Sequence, residues 1–305
     1  MPATRHSENE PRSNTVDSMT ENPPEWFTSA LADTPSHHDI TVDGRNVHYR
    51  AWGEAANPLI VLVHGGAANS SWWDHIGPHL SEHHRVVAVD LTGHGDSDHS
   101  DDYSLEEWAN QVRAVAQQES QQKPVIIGHS MGGFVALTAA REFGEHLHGV
   151  AVIDSPIREM PAEAREWFHN EMQKRPLRRS DDRQELVNRF RTIPAEEGQL
   201  EFVRRNIAEQ SVQEFSDGWG WKFDRSIFLR SHMSLEQVAE MSCEVALIRG
   251  ERGMATLDIT NDVLERLGGR APVTLMLEAG HHIMLDQPIA LIAVLQTLAG
   301  QWRNR

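Results

Sequence analysis

The chain has 305 residues and a formal net charge of −17, so it is long enough to bury one large core and too acidic to suit nucleic-acid phosphates or an anionic membrane surface. It contains no apolar run long enough to cross a membrane, and its one cysteine cannot form an internal disulfide. The segment 1–24 is rich in polar residues and proline and lacks the apolar stretch of a signal peptide. We therefore expect a cytoplasmic protein with a disordered N-terminal tail at 1–24.

Predicted strands and helices alternate along most of the chain. A hairpin turn at Asp43-Gly44 separates the first two strands, and the later ones are continuous apolar runs, which are typical of strands buried on both faces of a sheet. The predicted strands cover residues 39–42, 46–52, 59–63, 86–90, 125–127, 150–153, 245–250 and 273–277. The predicted helices cover residues 25–31, 72–80, 104–119, 131–143 and 288–302. This alternation predicts an α/β fold with a mostly parallel central sheet and helices on both faces.

One segment, residues 157–241, breaks this alternation. Its charged residues are dense, and its apolar residues recur at helical spacing, as at Val203 and Ile207, with no predicted strand between them. We interpret this segment as a helical cap, inserted between a first part of the α/β core at 25–156 and a second part at 242–305.

The central motif of the chain is Gly128-x-Ser130-x-Gly132, which follows an apolar strand and precedes a helix. Such a strand-to-helix turn, a nucleophile elbow, holds its serine in a strained backbone geometry above the edge of the sheet. Glycines on both sides let neighbouring backbone pass closely. The amides at the start of the following helix favour negative charge at the same place. The motif therefore predicts that Ser130 is a nucleophile.

The motifs of this chain, in their order, resemble the α/β-hydrolase fold family in its cap-bearing, esterase-like branch, and the resemblance covers residues 39–302. After the third strand, His64-Gly65-Gly66 is similar to the oxyanion loop of that family. The resemblance implies that the amides of Gly66 and Met131 stabilise the oxyanion that develops on a substrate carbonyl. It also implies a hydrolase that uses no metal and no cofactor.

Position, and not composition, identifies the general base, since the chain has 18 histidines. Gly280-His281 follows the last predicted strand and precedes the final helix, which is where the family carries its catalytic histidine. The resemblance implies that His281 takes the proton from Ser130. His282 is the alternative by adjacency, whereas His129 beside the nucleophile is expected to point back into the sheet or loop.

The acidic member of the triad departs from the commonest family pattern. Gly253 stands where the aspartate of the family is usually found, after the strand that ends at Gly250. Asp154 ends the strand that follows the elbow unit and resembles the acid of a subset of esterases, so it is the preferred candidate. Glu251 and Asp258 stay open as alternatives.

Together these residues predict a serine hydrolase that is acylated on Ser130 and acts on small-molecule carboxylic esters. Thioesters, lactones and C–C bonds of diketones stay open as substrates, because the same groups serve all of them. A ligand-binding protein of the same fold, without catalysis, also stays open, because the usual acid is missing. The aromatic residues expected to line the substrate pocket are Trp73, Trp219, Trp221 and Phe223.

Overall fold

The computed structural model describes residues 22–158, 163, 166, 170, 179–229, 233–239 and 241–303. The predicted tail therefore lies outside the described residues except at its last three positions, and so does most of the first quarter of the predicted cap. Among the residues that are described, no helix combines the length and the apolar character needed to cross a membrane.

The described part of the chain contains ten strands. They are β1 (Ser36–Val42), β2 (Arg45–Trp52), β3 (Leu59–Val63), β4 (Arg85–Val89), β5 (Val125–His129), β6 (Gly149–Ile153), β7 (Val212–Phe215), β8 (Gly218–Trp221), β9 (Glu244–Gly250) and β10 (Val273–Met276). Eight of them form one sheet in the order β1-β2-β4-β3-β5-β6-β9-β10, in which β2 runs antiparallel to its neighbours and the other pairs are parallel. The strands β7 and β8 form a separate antiparallel hairpin.

Helices flank the sheet and connect most of its strands. The helices of the described residues are α1 (Glu25–Ala32), α2 (Gly77–Leu80), α3 (Leu105–Glu119), α4 (Met131–Phe143), α5 (Arg183–Arg189), α6 (Glu201–Gln210), α7 (Leu257–Arg266), α8 (Ile283–Asp286) and α9 (Pro288–Arg303). The start of α3 is fixed by a side-chain cap, since the Ser104 hydroxyl accepts a hydrogen bond from the Glu107 amide at 3.1 Å.

The core lies on both faces of the sheet. Successive residues of a strand point to opposite faces, so Val61 of β3 packs in one apolar cluster with Trp108 of α3 and Val135 of α4. Its neighbour Ile60 packs in the opposite cluster with Leu291 of α9. The prediction of an α/β fold with a mostly parallel sheet and helices on both faces is confirmed.

Two predicted elements differ from the structure. The helix predicted at 72–80 is split into a 3₁₀ turn at Ser70–Trp73 and the short helix α2, because Pro78 fits the first turn of a helix but would break one already under way. The segment predicted to be a purely helical cap also contains the hairpin of β7 and β8. Each of these strands has four residues, which is too short for the spacing of apolar residues to distinguish a strand from a helix or loop.

The parallel strands determine where the chemically active loops meet. The loops that follow β3, β5, β6 and β9 all leave the sheet at the same edge, because the carboxyl ends of parallel strands lie side by side. The segment between β6 and β9 provides α5, α6 and the hairpin. Its backbone is joined to α8, where the Leu200 amide donates to the Leu285 carbonyl at 3.0 Å.

Candidate active site

Ser130 lies in the sharp turn between β5 and α4. Its backbone has φ 53° and ψ −114°, which is costly for a residue with a side chain. The turn is possible because a Cβ on Gly128 would overlap the Gly132 carbonyl, and a Cβ on Gly132 would lie 2.6 Å from the His64 carbonyl oxygen. The Ser130 amide also donates to the Ile153 carbonyl of β6 at 2.8 Å, which ties the turn to the next strand.

His281 bridges the serine and a carboxylate. Its Nε2 lies 3.0 Å from Ser130 Oγ, and its Nδ1 lies 2.7 Å from Asp154 Oδ2. Both His281 and Asp154 are buried, at 2% and 0% exposure. With the carboxylate at Nδ1, that nitrogen carries the proton and Nε2 is free to accept one from the serine hydroxyl.

The Asp154 carboxylate receives three hydrogen bonds. Besides His281, the amides of Gly250 and Met254 donate to its two oxygens at 3.0 and 2.7 Å. Both amides belong to the end of β9 and the loop after it, so the carboxylate of one strand end is held by the next strand. A buried charge needs such hydrogen-bond partners, and here they are the His281 ring and two backbone amides.

Gly253 is a glycine because Asp154 occupies the adjacent space. A Cβ at position 253 would overlap Asp154 Oδ1 and lie 2.6 Å from its Cγ. The carboxylate therefore lies at the position from which the commonest family aspartate would extend, but it arrives from β6 instead of from the loop after β9.

The two other acidic candidates lie elsewhere. Glu251 is exposed, and its Oε2 accepts a hydrogen bond from the Glu278 amide at 2.9 Å. Asp258 is exposed in the first turn of α7, where its carboxylate pairs with the Thr256 hydroxyl. The structure brings neither carboxylate to His281, and it brings Asp154 there.

The predicted oxyanion donors, Gly66 and Met131, belong to two neighbouring segments. Met131 opens α4, and the first amides of a helix have no partner within it. A Cβ on Gly66 would lie 3.8 Å from the Met131 sulfur, and one on Gly65 would lie 3.4 Å from Ser130 Cβ, so the loop after β3 passes directly over the elbow. The loop after β3 and the N-terminus of α4 thus both lie at Ser130, and amides at such a place favour a developing negative charge.

A sequence model of the alpha/beta hydrolase family matches residues 60–294. The chain belongs to this family. A serine hydrolase-like protein of Danio rerio is 24% identical over 295 residues, covering 88% of this chain and 90% of the relative. An esterase of Mycobacterium tuberculosis is 26% identical over 258 residues, covering 80% and 83% of the two chains.

Other relatives match over shorter stretches or in fold alone. Epoxide hydrolase 4 of Mus musculus is 32% identical over 138 residues, covering 44% of this chain, so the match spans only 38% of that protein. The solved structure of E-2-(acetamidomethylene)succinate hydrolase superposes with a TM-score of 0.74 at 20% identity, over 86% of this chain and 98% of that one. At such identity the likeness shows the alpha/beta hydrolase fold and nothing finer.

Two neutral histidines lie beneath the candidate site of this family member. His129 is buried, and its Nε2 lies 2.9 Å from the His281 carbonyl, so it points back under the loop as predicted. Burial, with the imidazoles of His281 and His282 nearby, holds the pKa of His129 well below its usual range. Burial also lowers the pKa of His64, whose ring is within the oxyanion loop. Both imidazoles are therefore neutral and do not donate a proton in place of His281.

Sequence reasoning missed a residue of the cap segment that contacts the histidine loop. Glu196 accepts hydrogen bonds from the amides of His281 and His282 at 2.5 and 3.2 Å, and its Oε2 lies 2.7 Å from His282 Nδ1. His282 is thus engaged with Glu196 and not with the serine, so the structure brings His281 to Ser130. Glu196 lies 85 residues before His281, in a charge-rich segment where nothing in the sequence distinguishes it.

Trp73, a predicted pocket residue, lies in the core. Trp73 is 1% exposed and packs within the core cluster that includes α2 and α9. Its neighbour Trp72 lies next to the histidine loop, with its ring centroid 5.7 Å from that of His282. The 3₁₀ turn directs adjacent side chains apart, so Trp72, and not Trp73, lies beside His282.

The other predicted pocket residues lie in the cap segment and are partly buried. The Trp221 ring contacts that of Phe190 at 5.8 Å, and Trp219 lies under the Arg183 guanidinium at 5.9 Å. No contact that the structure describes joins either tryptophan to Ser130, so their place in a pocket stays a prediction.

Phe223 is connected to the oxyanion loop through a second phenylalanine. Its ring contacts that of Phe228 at 6.2 Å, and a Phe228 ring carbon lies 3.4 Å from where a Cβ on Gly66 would be. Phe228, which the sequence analysis did not single out, is therefore the described cap aromatic that lies against the oxyanion loop.

Proposed function

We propose that this protein hydrolyses carboxylic esters through an acyl-enzyme on Ser130. The observation that carries the proposal is the continuous chain of hydrogen-bonded groups from Ser130 Oγ through His281 to the buried Asp154 carboxylate, with 3.0 and 2.7 Å between the paired atoms. A nucleophile, a base and a group that orients the base, each within hydrogen-bonding distance of the next, are the requirements for acyl transfer.

The first half of the reaction transfers the acyl group. Ser130 Oγ attacks the ester carbonyl while its proton passes to His281 Nε2, and the amides of Gly66 and Met131 donate to the resulting oxyanion. His281 then gives that proton to the alcohol oxygen as the C–O bond of the ester breaks. An oxyanion donor of this kind typically contributes about 3 kcal/mol to transition-state stabilisation.

The second half releases the acid. A water molecule takes the place of the alcohol, gives a proton to His281 Nε2 and attacks the acyl carbonyl. The bond to Ser130 Oγ breaks, the serine recovers its proton from His281, and the carboxylic acid leaves. Throughout, the Asp154 carboxylate keeps the proton on Nδ1 and stabilises the imidazolium that forms in each half.

The family supports this chemistry over the alternatives in two respects. The relatives that match along most of their length include a protein named an esterase and one named a serine hydrolase-like protein. The match to Epoxide hydrolase 4 covers a smaller part of both chains. The carboxylate of Asp154 beside His281 supports catalysis over a non-catalytic binding protein, which the glycine at position 253 had kept open.

The test is a panel of p-nitrophenyl esters of increasing acyl length, together with labelling by a fluorophosphonate probe and mapping of the labelled peptide. We expect turnover of the esters and a label on Ser130. Ser130→Ala and His281→Ala should both lose turnover, and since triad members act as a unit their losses should not add. Ser120→Ala, a serine at the far end of α3, is the control and should behave like the wild type.

The outcomes separate the related functions. A thioester or lactone hydrolysed far faster than every ester would keep Ser130 as the nucleophile and change the substrate class. A label on Ser130 without turnover of any substrate would favour ligand binding. Full turnover by purified Ser130→Ala would overturn the proposal.

A further inference from the structure

We propose that Glu196, in the cap segment, is a positioning residue for the catalytic histidine. It holds the backbone of the loop that carries His281 and so fixes where the imidazole lies. The inference rests on the proposed function, because it assigns a role in the reaction of Ser130 and His281. Nothing in the family resemblance assigns a role to a carboxylate at this place in the cap segment.

The first observation is the number of groups that Glu196 engages. Its Oε1 accepts from the His281 amide at 2.5 Å, and its Oε2 lies 3.2 Å from the His282 amide nitrogen and 2.7 Å from His282 Nδ1. Its side chain is 14% exposed, so these contacts are largely shielded from water. Hydrogen bonds to a charged acceptor are shorter and stronger than those between neutral groups.

The second observation is that carboxylates hold three consecutive amides of this loop. Asp286, in the helix that follows, accepts from the Gly280 amide at 2.6 Å, and Glu196 accepts from the next two. A Cβ on Gly280 would overlap Glu196 Oε1, so the glycine makes room for the carboxylate to lie against the backbone. The helix α8 supplies one of these carboxylates, and the cap segment supplies the other.

The third observation is a second connection from the same part of the cap segment. Leu200, four residues after Glu196, donates its amide to the Leu285 carbonyl at 3.0 Å. The segment 196–200 therefore contacts this part of the chain at two points, at residues 281–282 just before α8 and at Leu285 within α8. Its placement cannot change without moving one of them.

These contacts explain how a residue remote from the substrate would act on the reaction. His281 is held at its ring by Asp154 and at its backbone amide by Glu196, so both ends of the residue are fixed. Ring position relative to Ser130 Oγ decides proton transfer, and a displacement of about 1 Å in an active site can cost about 100-fold in rate.

The experiment compares three variants in full-length protein. Glu196→Ala removes both acceptor oxygens and with them all three hydrogen bonds. Glu196→Gln keeps one acceptor oxygen and loses the charge, and Glu197→Gln changes the exposed neighbouring carboxylate as a control. For each we would measure kcat and KM with a p-nitrophenyl ester, the rate of fluorophosphonate labelling of Ser130, and the melting temperature.

We expect kcat and the labelling rate of Glu196→Ala to fall together by about 10- to 100-fold while KM stays within about twofold. Glu196→Gln should recover part of that loss, and Glu197→Gln should match the wild type. If Glu196→Ala does not fold, the same comparison is made with Glu196→Gln alone, for which we expect a loss of kcat of at least about fivefold.

A lowered melting temperature with unchanged kcat and labelling rate, measured well below unfolding, would overturn the proposal and leave Glu196 with a purely structural role. A wild type that neither labels nor turns over ester would instead refute the proposed function, so the two failures are distinguishable.

Discussion

The carboxylate of Asp154 fills the space in which a side chain at position 253 would begin. A Cβ on Gly253 would lie 2.6 Å from Asp154 Oδ2, and the same oxygen is 2.7 Å from His281 Nδ1. The Asp154 carboxylate and a side chain at position 253 cannot occupy this space together, so aspartate at 154 fits only with glycine at 253. In this chain β6, and not the loop after β9, supplies the carboxylate beside His281.

Asp154→Asn is expected to reduce kcat by about four orders of magnitude, because an amide at this place favours the wrong tautomer of the imidazole while keeping the shape. Glu251→Gln and Asp258→Asn are the matched controls and should change kcat by less than about twofold, since their carboxylates lie away from His281. Steady-state kinetics with a p-nitrophenyl ester measures all three. A larger loss in Glu251→Gln than in Asp154→Asn would reverse the assignment.

Gly253→Ala is expected to reduce both activity and stability. The added methyl group would overlap Asp154 Oδ1, so the carboxylate must shift away from the imidazole or the loop after β9 must move. Overpacking of this kind typically costs about 1–3 kcal/mol. The checks are urea unfolding and kcat.

The double variant Asp154→Ala with Gly253→Asp tests whether a carboxylate at position 253 can replace that of Asp154. It removes the crowding and restores a carboxylate at the commonest family position, so it should recover part of the activity that Asp154→Ala alone loses. Activity no higher than that of Asp154→Ala would mean that the two positions are not interchangeable.

Phe228→Ala is expected to shift selectivity toward branched acyl groups, because its ring lies against the oxyanion loop at Gly66 and narrows the site there. The gain should be about fourfold in kcat/KM for each additional methyl group that the space admits, at about 0.8 kcal/mol each. Measurement uses acetate, isobutyrate and pivalate esters of p-nitrophenol.

Trp221→Ala is the comparison for this prediction. Its ring packs on Phe190 within the cap segment, so a purely structural role would give a lower melting temperature and unchanged selectivity. A selective rise in KM for the longer esters would instead support the pocket role predicted for Trp221 from the sequence.

The stability of the protein should depend on Glu196 in acid. Burial alone would raise the pKa of the Glu196 carboxyl, but hydrogen bonds from His282 and from two amides outweigh it and lower the pKa from 4.5 to about 2. The stabilisation is therefore complete above about pH 4.5 and lost as pH falls through about 2, and it amounts to at most about 3 kcal/mol.

Urea unfolding between about pH 6 and pH 3 should show a shallower loss of stability for Glu196→Gln than for the wild type. Glu197→Gln should retain the slope of the wild type, because its carboxylate is exposed. Equal slopes in all three proteins would show that the carboxylate of Glu196 is not held in its charged form by the loop.

The sequence was informative wherever chemistry depends on a local pattern. The elbow is specified by two glycines around Ser130, and the structure has the strained serine at that turn. The sheet follows from continuous apolar runs, because a strand buried on both faces must be apolar along its length. These features depend on residues within a few positions of one another.

Tertiary structure decided whatever depends on residues far apart in the chain. The sequence could rank Asp154 above Glu251, but only the packing of β6 against β9 brings its carboxylate to His281 and explains Gly253. No local sequence pattern marks Glu196, since its contact with the His281 amide joins residues 85 positions apart. A local pattern fixes which groups a segment can offer, and only the folded chain fixes which of those groups come within hydrogen-bonding distance.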